Sequence, residues 1–146
     1  MDRFRPTIIA FTVLTTLVSD GSRASQDDPA SSLCLSPPGT YVVLFDFDSA
    51  TINAAGQAVI NQILSDIEAR GATGASATGY ADRSGSEQYN MVLSLRRADS
   101  VREALIAGGV PAEAIISVAR GESTNAVPTP DGVRQQANRR VEIILQ

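Results

Sequence analysis

Four charged residues stand where this sequence otherwise places apolar side chains or a turn: Asp46, Asp82, Arg97 and Arg139. Arg97 falls within a stripe of Leu93, Val101 and Leu105 spaced by fours, so on a helix its guanidinium points to the side its neighbours bury. An unpartnered charge there would cost on the order of several kcal/mol, so the side chain must snorkel outward or meet an acid. Asn90 and Ser94, seven and three residues earlier, extend a polar column along the same helix. Asp82, in GYADRSGSE, precedes that helix beside the Ser84 hydroxyl and the unsatisfied first-turn amides, a position that often binds anions. Taken alone it reads equally as a turn acid bonded to its own backbone. Arg139 alternates onto the face of Val141, Ile143 and Leu145, whereas Arg140 shares a face with Glu142 and reads as an ordinary surface charge. Asp46, at the end of an apolar run, is a candidate acid for the same region. The residues by themselves leave open a structural ion cluster or a binding site.

Elements must exist to bring these groups together, and composition allows one domain to do so. The chain has 146 residues, 43% hydrophobic and 19% charged, enough for a core and incompatible with disorder throughout. Net charge is -4, every one of the 12 basic residues is Arg, and no basic run is present, which argues against a nucleic-acid groove. The absence of His and the single Cys remove the imidazole base, His-containing metal sites and an internal disulfide. No cofactor is expected. VVLFDFDSAT has the strand-then-DxD form of haloacid-dehalogenase-type phosphotransferases, but those need a Lys and a downstream acidic pair that this chain lacks. A Ser hydrolase is excluded by the missing GxSxG and His.

Arg3 and Arg5 precede the uncharged run Thr7 to Val18, followed by small and polar residues, so residues 1–24 read as a secretory signal cleaved near Ala24. As a helix that run reaches ~18 Å, against a hydrocarbon core of ~30 Å. The alternative is an uncleaved anchor that tethers the chain to the inner membrane. Cys34 follows Leu33, far beyond the apolar run, and reads as a free thiol rather than a lipidation site. Residues 25–40, rich in Ser, Asp, Pro and Ala, read as a flexible linker too short to hold a membrane barrel.

From Tyr41 onward the periodicity changes. Tyr41 to Phe47 predicts a buried strand, and Asn53 caps a helix whose Ile60, Ile63, Leu64 and Ile67 form one stripe ending at Gly71. Ala75 to Tyr80 predicts a second strand despite its small residues. Ser84 and Glu87 have capping-box spacing for a long second helix that Gly108 and Gly109 end. Ile115 to Ala119 and Val141 to Leu145 predict two more strands around a loop over Gly121 to Ala137. The order is βαβαββ, an α/β sandwich with two helices on one face of a mixed four-stranded sheet.

The segments FDFDSATI, GYADRSG, YNMVLSLRRADSV and NRRVEI, in this order, closely resemble the OmpA C-terminal-like, peptidoglycan-associated domain family over 41–146. The most specific part is Asn90, Leu93, Ser94, Arg97 and Ala98, followed by Asn138, Arg139 and Arg140. The chain departs from the family pattern at Tyr80 and Ala81, where the family often has His and Thr. The resemblance implies the same βαβαββ fold and noncatalytic binding of peptidoglycan through the diaminopimelate side chain. The free end of that side chain is a zwitterion, which needs an acid for the ammonium and a planar cation for the carboxylate. Asp82 and Arg97 would supply them, Asn90 and Ser84 would complete the hydrogen bonds, and Arg139 and Asp46 would line the pocket. The implied location is the periplasm, on the cell wall or outer membrane. The alternative is a scaffold of the same fold that contacts another cell-envelope protein.

Overall fold

The structure is a computed structural model and describes residues 39–146. The expected signal over 1–24, the anchor alternative, Cys34 and nearly all of the expected linker lie outside the described residues. β-Branched and aromatic residues build strand β1, Thr40–Leu44, which pairs antiparallel with β4, Arg140–Leu145, placing Val43 opposite Val141. β4 pairs antiparallel with β2, Ala75–Gly79, and β2 pairs parallel with β3, Ile115–Ala119. The sheet order is β1-β4-β2-β3.

Two helices cover one face. Helix α1, Ala54–Arg70, starts where the Asn53 side chain accepts from the Gly56 N–H at 2.9 Å and stops at Gly71 in the left-handed conformation, φ 65°. Its Ile60 and Ile63 are fully buried, with Leu64 and Ile67 packed at their margin. Helix α2, Glu87–Ala107, adds Val101 and Leu105 to the same core, against Val43, Ala77, Val141 and Ile143. The opposite sheet face leaves Leu44, Ile116 and Ile144 about half exposed. Among the described residues no helix is long and apolar enough to cross a membrane.

The small residues of β2 have a packing reason. A Cβ on Gly79 would lie 1.9 Å from the Ser94 carbonyl oxygen, so only glycine lets α2 rest this closely on the strand. The start of α2 differs from the expected capping box. Its cap is Ser86, whose hydroxyl accepts from the Tyr89 N–H at 3.2 Å, while Ser84 remains in the loop and donates to Asp82. The expected first strand also ends early, at Leu44 rather than Phe47. Its partner strand begins only at Arg140, opposite Leu44, and beyond one further bond, Phe45 N–H to Arg139 O at 2.9 Å, there is nothing to pair with. Smaller shifts end β2 at Gly79 and begin β4 at Arg140, and a 3₁₀ turn over Ala112–Ala114 precedes β3.

Arg140 is a correction of larger consequence. It is 6% exposed, paired through Nε with Glu142 at 2.7 Å and covered by the Tyr80 ring, 4.0 Å from the guanidinium carbon. It does share a sheet face with Glu142, but Tyr80, at the end of β2, closes over it and removes it from solvent.

Candidate functional site

Arg97 reaches the C-terminal end of β2 from the middle of α2. It is wholly buried and stacks 5.5 Å above Phe45, yet it does not meet an acid directly. Its partners are three backbone carbonyls: Nε donates to Ser49 O at 2.8 Å, Nη1 to Tyr80 O at 3.1 Å and Nη2 to Asp46 O at 3.2 Å. Those carbonyls are available because β1 and β2 have just ended, leaving acceptors no strand uses. Three of the five guanidinium N–H groups are thereby engaged, and one on each terminal nitrogen remains. Burial lowers its pKa to about 10, opposed by the nearby Asp82 charge and assisted by Arg139. The group stays cationic at neutral pH.

Asp82 is paired with Arg139 rather than Arg97, Oδ2 to Nη1 at 2.9 Å, and both side chains are nearly buried. Oδ2 also accepts from the Gln135 N–H at 3.3 Å, while Oδ1 accepts from the Ser84 N–H at 3.3 Å and its hydroxyl at 2.5 Å. Burial works to raise the Asp82 pKa, but the Ser84 hydroxyl, Arg139 and the two backbone amides outweigh it and hold the carboxyl below its ordinary value. Arg139 donates in addition from Nε to Phe45 O at 3.2 Å. The loop that supplies Gln135 is pinned by Asn138, fully buried, whose amide bonds both the N–H and the carbonyl of Val127 at 2.8 Å.

These residues line one small cleft of about 160 Å³ with Phe47, Asp48, Ser84, Gly85, Tyr89, Asn90 and Leu93. Against ~30 Å³ for a water in the liquid, it has room for a compact head group. Five expected residues, Asp82, Arg97, Asn90, Ser84 and Arg139, are therefore together. Asp46 is a correction: its side chain is exposed and does not line the cleft, and only its carbonyl takes part, on Arg97. With β1 ended, strand alternation no longer decides which acid of FDFD faces inward, and Asp48, in the left-handed conformation at φ 51°, does so. Its Oδ1 accepts from the Tyr89 hydroxyl, making a bridge between exposed side chains at the cleft. Asn90 contributes less to a guest than its position suggested, because Nδ2 already donates to Asp82 O at 2.9 Å and Glu122 Oε2 at 2.6 Å. Its carbonyl oxygen remains. Phe47, Gly85 and Tyr89 were not singled out from the sequence, and Asp48 entered only as the second acid of the DxD pattern.

Taken together, the cleft is lined by the buried Arg97 guanidinium, by the Asp82–Arg139 ion pair and by the exposed Asp48 carboxylate, one oxygen of which holds the Tyr89 hydroxyl.

The fold is similar to that of the peptidoglycan-associated lipoprotein from Burkholderia pseudomallei, at TM-score 0.65 and 28% identity, covering 72% of this chain and 89% of that one. The C-terminal domain of Helicobacter pylori MotB shares the fold at TM-score 0.63 and 22% identity, over 73% of this chain and 84% of that one. In sequence, the chain is 39% identical over 115 residues to an outer membrane protein from Gluconacetobacter diazotrophicus, covering 75% of this chain and 30% of the relative. It is 41% identical over 112 residues to outer membrane protein A from Shigella flexneri, covering 69% and 32%. The chain thus spans about a third of the length of these two curated relatives. The OmpA family model matches residues 44–139, and the chain belongs to the OmpA family.

Proposed function

We propose that this domain binds peptidoglycan without catalysis, holding the zwitterionic end of a diaminopimelate side chain in the cleft and so associating an exported protein with the bacterial cell wall. The observation that carries the reading is Arg97: a buried guanidinium with its charge retained, two N–H groups unspent, at the floor of a head-group-sized cleft. A carboxylate accepts those two N–H groups, each such charge-assisted bond contributing about 1.5–3 kcal/mol net. The ammonium meets two acids with different roles. Asp82 has its acceptor positions filled and contributes negative potential, tempered by Arg139, whereas Asp48 offers open lone pairs. Entry requires Tyr89 and Asp48 to part, which their exposure makes easy. The relative that is itself a peptidoglycan-associated lipoprotein supports the same reading. Retention on the wall gains from many equivalent ligand ends on one polymer.

The test is sedimentation with insoluble peptidoglycan. The parent should pellet with diaminopimelate-type wall and remain in the supernatant with lysine-type wall, whose side chain lacks the second carboxylate. Arg97→Lys, which keeps the charge and loses the fork, and Asp48→Asn should each weaken pelleting. A parent that stays in solution with both walls overturns the proposal and favours the envelope-protein scaffold.

A further inference from the structure

Asn90 stands between the cleft and a second concavity. Its amide nitrogen bonds the Asp82 carbonyl on one side and the Glu122 carboxylate on the other. Beyond it, between the start of α2 and the loop after β3, lies a cavity of about 290 Å³ that includes Arg83, Arg120, Glu87 and Glu122. Arg83 follows Asp82 directly in the chain. Its Nε is buried with no partner among the described residues, and its Nη2 is held by Asp131, whose side chain is 81% exposed. A carboxylate of the chain itself thus already occupies this guanidinium, through the kind of exposed pair that a guest displaces readily. Of the two acids, Glu122 is engaged by Asn90, and Glu87 is exposed in the first turn of α2, where the helix end favours negative charge. Arg83 and Arg120 are the cations of the cavity.

We infer that this cavity is a second subsite of the binding surface, taking a carboxylate of the stem peptide adjacent to diaminopimelate, with Arg83 and Arg120 as its cations. The inference rests on the peptidoglycan reading above. In the stem peptide that group is the α-carboxylate of the γ-linked glutamate before diaminopimelate. Once the zwitterion is seated, the second contact is intramolecular and adds affinity without a second encounter. Replacement of Asp131 by the peptide carboxylate keeps Arg83 paired throughout.

The test is calorimetric titration of the whole chain with free diaminopimelate, with the tripeptide Ala-γ-Glu-diaminopimelate, and with that peptide amidated at the glutamate α-carboxylate. The parent should bind the tripeptide more tightly than free diaminopimelate. In the double variant Arg83→Gln, Arg120→Gln that gain should vanish, a loss of about tenfold, while free diaminopimelate binds as to the parent and reports an intact fold. Amidation of the glutamate α-carboxylate should reproduce the loss in the parent. Asp131→Asn, which frees Arg83, should tighten tripeptide binding. A double variant that holds the tripeptide as well as the parent refutes the subsite and leaves the diaminopimelate reading standing. Failure of the parent to bind either ligand overturns that reading and the subsite with it.

Discussion

Asp82 and Arg139 form the ion pair on the cleft wall at 2.9 Å, and Arg97, the α2 guanidinium that lines the same cleft, is left to three main-chain carbonyls. The division matters, because an Arg97 neutralised by direct contact with Asp82 would have little left for a guest. Instead one cation holds the acid in place and the other keeps donors in reserve.

Arg97 is also a structural residue. Arg97→Ala removes three charge-assisted bonds, empties a fully buried side-chain site and strands the buried carbonyl of Tyr80, so it should destabilise the fold by about 3 kcal/mol or more. Urea denaturation checks this as a lowered midpoint at unchanged slope. A variant as stable as the parent would show that those carbonyls find water instead.

Gly79→Ala places a methyl where the Ser94 carbonyl already lies, 1.9 Å away, and main chain on both sides must move. The expected cost is about 3 kcal/mol, at the upper end of overpacking effects. Thermal unfolding of the purified variant measures it; a midpoint within a degree or two of the parent would mean that α2 can slide off β2 at little cost.

The two serines before α2 separate by function. Ser86→Ala removes the helix cap and should cost about 1 kcal/mol of stability. Ser84→Ala leaves the cap intact but withdraws the hydroxyl that helps lower the Asp82 pKa, so that pKa should rise. Carboxyl titration by NMR distinguishes the two. Equal helix destabilisation by both substitutions would contradict the assignment of the cap.

Acid should release the Asp82 contribution in a defined window. Its folded pKa lies below the unfolded value of about 3.9, so its stabilisation is fully present above that value and is lost as pH falls through the lower folded pKa. The difference in unfolding midpoint between the parent and Asp82→Asn should stay constant from pH 7 to about pH 5, then close below about pH 4. A difference that already changes between pH 5 and pH 7 would show that another group governs it.

The elements themselves were readable because their signals are local. Asn53 and Gly71 bracket α1, and its isoleucine stripe identifies the face that is buried. Ile115–Ala119 appears as expected, since an apolar run between turn residues suffices. Local rules failed where two adjacent residues competed for one role. Ser84 and Ser86 both suit a cap, and the demand of Asp82 for a hydroxyl decided between them. Asp46 and Asp48 both suit an acid at the strand end, and the point at which β4 stops pairing decided which one turns inward.

By its own pattern the sequence determined that Arg97 would start from the apolar side of a helix that follows a loop acid, because the 3.6-residue period carries that information over a few turns. Which carboxylate each guanidinium meets, and that Arg140 is covered by Tyr80 rather than solvated, were decided only by tertiary structure. Those contacts join residues dozens of positions apart, brought together when β4 inserts between β1 and β2. Pairing energy depends on distance and burial in three dimensions, and neither is written in spacing along the chain.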